Sequence, residues 1–271
     1  MRLPVLAEGK KVFVVFSVDW EPNHGVWNHN KGTDYGGILK ATPVLESLLD
    51  AQQVPCTWFV EVGKEADRDM PGAFPGDLRR LGRRMRDEIG LHVHWRHPDG
   101  LQGTTSYETG DRTWVQDQIT HGVARLGSFG IRPTAFRSGA LLFVSGLPGI
   151  LEHTGFTTDS STLWGKAKRT TDSNEGVRKT STLGRMGWVV RRVLGSPPLP
   201  YFADPENVER TGCSSVLEFP IFSGLVESQR LVHSFVRHLT LWKARLGSST
   251  TFLTLFFHID ELLDPRSGPN E

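Results

Sequence analysis

Cysteine is scarce in this chain, which has only Cys56 and Cys213 among its 271 residues. Both stand in apolar, strand-like stretches far apart in the sequence, which favours two buried thiols over a disulfide framework. Charge of one sign is not in excess either, because the chain has 31 lysines and arginines and 30 aspartates and glutamates. A net charge of +1 provides no overall field for nucleic acid, so we expect no nucleic-acid partner.

Long apolar runs are also missing. No stretch reaches the roughly 18–20 apolar residues of a membrane-spanning helix. Residues 1–18 do not show the pattern of a secretory signal, because the apolar run at 12–18 is short and leads directly into Asp19. These absences predict a soluble, cytoplasmic protein.

The sequence does contain an alternation of strand and helix patterns. The continuous apolar run at 12–18 ends in charge, as is typical of a buried parallel strand. Further strands are predicted at 57–60, 88–92, 134–137, 156–158, 216–221 and 251–257, and helices at 38–52, 77–87, 112–129, 146–153 and 228–245. About seven strands separated by helices predict a parallel sheet that closes, or nearly closes, into one β/α barrel.

Residues 165–195 break this alternation. They contain eight lysines and arginines against two carboxylates, a local net charge of +6. A long loop in a compact domain is usually functional or mobile. Two interpretations remain open: a solvated insertion, or an electropositive lid over a phosphate, a sugar nucleotide or an anionic membrane surface.

Side chains that can bind metal follow two of the predicted strands. Asp19 and Glu21 project from the same side of the first strand, and two carboxylates this close favour a cation beside them. His92, His94 and His97 stand at the end of another strand. Imidazole is the commonest ligand for zinc-like metals, and strand ends present the functional groups of α/β folds. The two clusters could therefore converge on one ion.

Three further strand ends carry ionisable side chains. Arg137 beside a carboxylate base would keep that base ionised, although a surface salt bridge is the ordinary alternative. Asp159 ends the next strand, where the alternative is a helix N-cap. His258 ends the last strand with Asp260 two positions on. Such a histidine can act as a general acid near neutral pH, or it can be a buried structural residue.

Taken in order, these motifs resemble the polysaccharide deacetylase (NodB homology, carbohydrate esterase family 4) superfamily. S-V-D-W-E stands where the family has paired aspartates, and E-I-G-L-H-V-H-W-R-H-P stands for its histidine motif. F-R-S-G, T-D-S-S and L-F-F-H match its arginine, aspartate and final leucine-x-histidine motifs. The resemblance covers residues 12–260, nearly the whole chain.

The resemblance implies a fold and a metal site. The fold would be a single catalytic domain over residues 1–271, a distorted (β/α)7 barrel of the NodB type with a basic insertion at about 165–195. One divalent ion would be held by an acid and two imidazoles, namely Glu21, His92 and one of His94 and His97. Zinc is the default for these ligands, and Co²⁺, Ni²⁺, Mn²⁺ or Fe²⁺ could occupy them as well.

The same resemblance implies catalytic roles. Asp19 would be the general base, and Arg137 would tether it. His258 would protonate the leaving amine, and Asp159 would tune His258.

The sequence departs from the family pattern in both metal motifs and in the arginine motif. Glu21 replaces an aspartate and stands one residue further along. Counted from His92, the expected position of the second imidazole holds Arg96. The proline after His97 favours that residue as the ligand, whereas strand geometry favours His94. The arginine motif lacks the proline and the aromatic residue of the usual R-x-P-Y, which predicts a substrate cleft unlike that of the extracellular chitin or peptidoglycan enzymes.

The function expected from this resemblance is hydrolysis of a non-peptide C–N bond. The substrate would be an N-acetylated amino sugar in a cell-surface glycan, or its lipid- or nucleotide-linked precursor, of the O-antigen or capsule type. The segment 165–195 could then contact a phosphate of the substrate or a membrane surface. Two alternatives stay open: an amidohydrolase for another amide, such as a formamido sugar or an allantoin-like compound, and a catalytically inactive carbohydrate-binding barrel.

Overall fold

The computed structural model describes residues 11–22, 35–64, 68–95, 112–163, 199–224 and 251–262. The strands are β1 Val12–Trp20, β2 Thr57–Glu61, β3 Glu88–Val93, β4 Ala135–Ser138, β5 Thr158–Asp159, β6 Tyr201–Asp204, β7 Asn207–Thr211, β8 Leu217–Glu218, β9 Ile221–Gly224 and β10 Thr251–His258. The α-helices are α1 Gly36–Gln52, α2 Met70–Ala73, α3 Pro75–Leu81, α4 Arg112–Gly127 and α5 Leu147–His153, and short 3-10 helices lie at Gly139–Leu141 and Ile259–Leu262.

The strands form one sheet in the order β7-β6-β8-β5-β4-β3-β2-β1-β10-β9. Every neighbouring pair from β8 to β9 in this order is parallel, and β6 and β7 add an antiparallel edge. Only Phe219 and Pro220 separate β8 from β9 along the chain. Because β8 pairs with β5 and β9 pairs with β10, the sheet curls into a barrel-like form.

The register of the parallel strands brings charged residues together at one edge of the sheet. Asp19 pairs with His258 across β1 and β10. Glu61 pairs with His92 across β2 and β3, and His92 pairs in turn with Arg137 on β4. Since parallel strands all end at the same edge, side chains from five strands meet there.

Helix α1 packs against the end of β1 next to this edge. Its buried side chains include Ile38, Ala41, Leu45 and Leu49, whose spacing places them on one face of the helix. Trp20 is fully buried, and its indole Nε1 donates a hydrogen bond to Thr42 Oγ1 over 3.0 Å. This contact fixes the end of β1, from which Asp19 and Glu21 project.

Most predicted elements are present with small shifts of their ends. The predicted strand at 216–221 is two short strands, because Phe219 and Pro220 interrupt the pairing. The predicted helix at 77–87 begins at Pro75 and ends at Leu81. Beyond Leu81 the chain turns, and Asp87 accepts hydrogen bonds from the backbone of Cys56 and the indole of Trp58. The predicted helix at 228–245 and the basic segment 165–195 lie outside the described residues.

The described residues bear on the expectations for the cysteines and for membrane-spanning helices. Both cysteines are free thiols, but only Cys56 is buried, so the prediction of two buried thiols was wrong for Cys213. Cys213 is exposed just after the β6–β7 hairpin, which the sequence did not predict. Within these ranges, no helix combines the length and the apolar character needed to cross a bilayer.

Candidate active site

Charged side chains converge at the carboxyl edge of the parallel strands. They come from β1, β3, β4 and β10 and from the residues just after β1 and β3, namely Asp19, Glu21, His92, His94, Arg137 and His258. Asp19, Glu21, His92 and Arg137 are at most 3% exposed. His94 and His258 keep 9% and 18% of their side chains accessible, so the site is buried but not sealed.

Glu21, His92 and His94 form a compact metal-donor group. Glu21 Oε2 lies 2.8 Å from His94 Nε2 and 3.4 Å from His92 Nε2. The two imidazole Nε2 atoms are 3.1 Å apart. The donor atoms of all three residues lie within 4.8 Å of one another. Catalytic zinc sites use three protein ligands of this kind and keep the fourth position for water or substrate.

The hydrogen bond on the far side of His92 fits metal binding. His92 Nδ1 lies 3.0 Å from the backbone oxygen of Arg137, and a carbonyl oxygen can only accept. His92 therefore carries its proton on Nδ1 when neutral, and its Nε2 lone pair points at Glu21 and His94. A lone pair that faces a carboxylate and a second imidazole is repelled unless a cation or a proton lies between them. The residues of the metal-donor group thus fit a divalent ion.

A second cluster adjoins the metal-donor group through Glu21. His258 Nε2 lies 3.3 Å from Glu21 Oε1 and 3.9 Å from Asp19 Oδ2. Glu21 therefore faces the two imidazoles of the metal-donor group with one oxygen and His258 with the other. This arrangement brings Asp19 and His258, the predicted base and acid, to the same side of the metal-donor group.

Asp19 is held by Arg137. Arg137 Nη1 lies 2.5 Å from Asp19 Oδ1, while Nη2 donates to Ser17 Oγ over 2.8 Å and Nε donates to Ser160 O over 3.1 Å. The guanidinium also stacks 4.0 Å from the centre of the Phe59 ring. Burial alone would raise the pKa of Asp19, but Arg137 and the neighbouring imidazoles outweigh it and hold that pKa below its ordinary value.

His258 is oriented by a carboxylate that differs from the one suggested by the sequence. Glu261 Oε2 accepts the backbone N–H of His258 over 3.1 Å, and Glu261 Oε1 lies 3.5 Å from His258 Nδ1. Asp260 was the nearby carboxylate in the sequence. The 3-10 helix after β10 instead brings Glu261, three residues after His258, next to the histidine. Burial opposes protonation of His258, yet Glu261, Glu21 and Asp19 raise its pKa to about 9.

Asp159 lies on the other side of Arg137. Its Oδ1 accepts a hydrogen bond from Ser161 Oγ over 2.5 Å, and Glu218 is its neighbour in the register of β5 and β8. This hydrogen bond does not join Asp159 to His258. Burial raises the pKa of Asp159 to about 7 and raises that of Glu218 as well, so the pair favours a form that retains a proton.

The sequence reasoning missed Glu61 and Glu218 as parts of the site. Glu61 ends β2, is fully buried, and accepts from Arg68 Nη1 over 2.9 and 3.0 Å at its two oxygens. Burial raises its pKa, while the neighbouring His94 lowers it. The signal was present in T-W-F-V-E, an apolar run that ends in a carboxylate as the run before Asp19 does.

The structure brings together all but one of the predicted metal-binding residues. His97 lies outside the described residues. Among the residues that the structure describes, His94 is therefore the second imidazole beside Glu21 and His92.

Neither protein-family models nor curated protein sequences match this chain. Its structure is similar to a candidate polysaccharide deacetylase from Mycobacterium smegmatis, with a TM-score of 0.57 and 18% identity over 99% of this chain and 83% of that one. A candidate polysaccharide deacetylase involved in O-antigen biosynthesis in Bordetella bronchiseptica gives a TM-score of 0.46 and 12% identity over 93% and 72% of the two chains. A 4-alpha-glucanotransferase from Thermococcus litoralis gives 0.48 and 12% over 93% and 34%.

The likeness to the Mycobacterium smegmatis structure confirms the resemblance in fold. The chain has a barrel-like α/β fold similar to that of the Mycobacterium smegmatis protein, and the likeness covers 99% of the chain. At 18% identity, the likeness shows the fold. The chemistry has to be argued from the site itself.

Proposed function

We propose that this chain is a metal-dependent hydrolase that removes the N-acetyl group of an amino sugar. The observation that carries the proposal is that the metal-donor group lies beside an arginine-bound carboxylate and a histidine, Asp19 and His258. With β8 and β9 taken as one interrupted strand, the proposed barrel has seven strands. The structural likeness to a candidate polysaccharide deacetylase supports the proposed function.

The metal-donor group would hold the Lewis acid of the proposed reaction. A divalent ion held by Glu21, His92 and His94, Zn²⁺ by default, would polarise the acetamide carbonyl and lower the pKa of a water molecule. The hydrogen bond from His92 Nδ1 to the Arg137 carbonyl orients one ligand in advance.

Asp19 accepts the proton of the attacking water. Its Oδ1 is bound by Arg137, whereas its Oδ2 faces His258 at 3.9 Å and is the oxygen placed to take a proton. Because Arg137 keeps the pKa of Asp19 low, the carboxylate is ionised when water arrives. Arg137 is bound to Ser17 and Ser160 as well, so the base is fixed before the substrate binds.

His258 protonates the departing amine. Its pKa is raised to about 9, chiefly because Glu261, Glu21 and Asp19 outweigh the effect of burial. In the metal-free protein it is therefore protonated at neutral pH, and Nε2 lies toward Asp19 and Glu21. After the C–N bond breaks, acetate and a free amine leave the site.

The geometry favours catalysis over a carbohydrate-binding role. Sugar binding alone does not require a buried carboxylate and guanidinium, and taking two charges out of water is costly unless their contacts are nearly ideal. Here Asp19 and Arg137 are at most 3% exposed. We infer that Asp19 and Arg137 are buried together because the reaction uses them.

We propose a phosphate-bearing saccharide precursor of a cell-surface glycan as the substrate, modified in the cytoplasm. The supporting feature is the sequence of residues 165–195, whose net charge of +6 suits a sugar nucleotide or a lipid-linked sugar at a membrane surface. A free N-acetylhexosamine lacks the group that these cations would contact.

Release of acetate tests the proposal. Free, nucleotide-linked and lipid-linked N-acetylhexosamines are incubated with the zinc-loaded protein, with a chelated sample and with Asp19→Asn. We expect turnover of a phosphate-bearing substrate, and a loss of several orders of magnitude in the other two samples. Full activity after both chelation and Asp19→Asn would contradict the mechanism. Formate in place of acetate would support the alternative amide, and equal turnover of free sugars would remove the phosphate contact.

A further inference from the structure

Gly139 lies directly against His94. A Cβ atom built on Gly139 would stand 2.6 Å from His94 Cγ and 2.8 Å from both its Cα and its Cδ2. Real Cβ atoms essentially never come within 3.0 Å of such neighbours. One of the three atoms is backbone, so a rotation of the His94 side chain cannot relieve the contact. Any other residue at this position would displace His94.

The backbone around Gly139 is held in place on both sides. Ser138 Oγ accepts a hydrogen bond from Trp95 Nε1 over 2.6 Å and donates one to Leu142 O over 3.0 Å. The N–H of Ser138 donates to Ser161 Oγ over 2.9 Å. All three hydrogen bonds are buried. Gly139 therefore cannot simply move away from His94 to accept a side chain.

The turn after Gly139 adopts an unusual conformation. Ala140 and Leu141 have φ angles of 52° and 54°, in the left-handed region that residues with a Cβ rarely adopt. Such a conformation persists only where the surrounding contacts enforce it, and it is commonest at functional sites. In this turn it brings the backbone of Gly139 up to the imidazole of the metal-donor group.

We propose that Gly139 is the residue that positions His94 as the second imidazole ligand. This inference rests on the proposed metal site. Gly139 stands where the motif R-x-P-Y has its proline, and a proline ring there would occupy the space that His94 fills. A proline at 139 and the imidazole of His94 in its present place would therefore exclude each other, because the imidazole lies in the space that a side chain at 139 would need. Gly139 acts through His94 and is a positioning residue.

The affinity of the metal-free protein for Zn²⁺ tests this inference without an assay of activity. Competition with a chromophoric chelator gives the affinity of the unsubstituted protein and of Gly139→Ala. Because the new methyl group displaces His94, we expect Gly139→Ala to lower the affinity by about tenfold or more. An unchanged affinity would overturn the inference while leaving the metal site in place. If the unsubstituted protein bound no Zn²⁺, the proposed function would fail as well.

Two other glycines provide matched controls. Gly122 lies on α4, and a Cβ there would meet Leu91 Cδ1 at 2.6 Å, so Gly122→Ala creates a comparable contact in the core. A Cβ on Gly76 would meet nothing within 4 Å. We expect Gly122→Ala to lower the thermal unfolding temperature with less than a threefold change in Zn²⁺ affinity, and Gly76→Ala to change neither. Equal losses of affinity in Gly122→Ala and Gly139→Ala would indicate general damage and overturn the inference.

A double substitution shows whether Gly139 acts through His94. His94→Ala should weaken Zn²⁺ binding by itself, and adding Gly139→Ala should weaken it no further, because no ligand remains to be displaced. A second tenfold loss in the double variant would contradict the inference. The double variant lacks two of the three atoms that the methyl group would meet and keeps only the contact with His94 Cα, so it should unfold at a higher temperature than Gly139→Ala alone. Failure of both to fold would show that the glycine serves only the backbone.

Discussion

Arg137 Nη1 lies 2.5 Å from Asp19 Oδ1 although two strands, β2 and β3, separate their own strands in the sheet. The two side chains meet because the sheet curls, so that β1 and β4 face each other across its interior. Both are buried, at 3% exposure for Asp19 and 0% for Arg137. The contact is thus both a structural link across the barrel and the support of the proposed base.

Substitution of Arg137 should destabilise the protein and inactivate it. Arg137→Gln leaves the Asp19 carboxylate buried without its cation, which we expect to lower the free energy of unfolding by about 3–5 kcal/mol. Arg137→Lys keeps a charge but cannot reproduce the contacts with Ser17 and Ser160, so an intermediate loss is expected. Denaturant unfolding and acetate release measure the two effects.

The control for Arg137 is an exposed ion pair. Arg112 pairs with Glu206, and both side chains are more than half exposed. Arg112→Gln should therefore cost less than about 1 kcal/mol. Equal costs for Arg112→Gln and Arg137→Gln would show that burial of Asp19 and Arg137 adds nothing to the fold.

Zinc should stabilise the folded protein through the metal-donor group. A ligand present at about 100 times its Kd raises the free energy of unfolding by roughly 2.7 kcal/mol. We expect Zn²⁺ to raise the unfolding temperature, and Glu21→Gln or His92→Ala to abolish that rise. His258→Ala should retain the rise while losing activity, because His258 contacts Glu21 through the oxygen that faces away from His92 and His94. Loss of the rise in His258→Ala would make His258 a ligand and exclude it as the proton donor.

The central strands and most of the site could be predicted from the sequence. An apolar run such as 12–18 indicates a parallel strand that is buried on both faces. The charged residue that ends the run indicates a polar strand end. Asp19, His92, Arg137 and His258 all follow such runs. Their convergence then follows from the single edge at which parallel strands end.

The partners of these residues could not be predicted, because they depend on contacts between distant strands. Glu218 matters because register places it beside Asp159, and Glu61 because register places it beside His92. Glu261 replaces Asp260 as the partner of His258 because a 3-10 helix follows β10. Likewise, nothing near His94 in the sequence indicates the turn at Gly139 against which it packs.

Glu261 should set the alkaline limit of activity. Its carboxylate helps to raise the pKa of His258 against the effect of burial. If protonated His258 is the general acid, activity falls as pH rises through that pKa. Glu261→Gln removes the charge, lowers the pKa of His258, and should move the alkaline fall of kcat/KM to lower pH. A pH profile of acetate release by the zinc-loaded enzyme measures the shift.

Asp260→Asn is the matched control for Glu261→Gln. The two carboxylates are adjacent in the same 3-10 helix, but Glu261 is the one that accepts the backbone N–H of His258 and lies beside its Nδ1. We expect Asp260→Asn to leave the alkaline limit in place. A shift in Asp260→Asn and none in Glu261→Gln would reverse the assignment of the two carboxylates.

The buried pair of Asp159 and Glu218 should make stability depend on pH. Burial raises the pKa of Asp159 from 3.8 to about 7, so between these values the folded protein holds a proton that the unfolded chain releases. The free energy of unfolding therefore falls as pH rises from about 4 to about 7. Asp159→Asn removes the carboxyl group that titrates and should remove part of this fall, of the order of 2–4 kcal/mol. Denaturant unfolding at pH 4 and pH 7 with chelator present measures it, with the exposed Asp117→Asn as control. Parallel pH dependence in Asp159→Asn and the unsubstituted protein would show that the pair holds no proton.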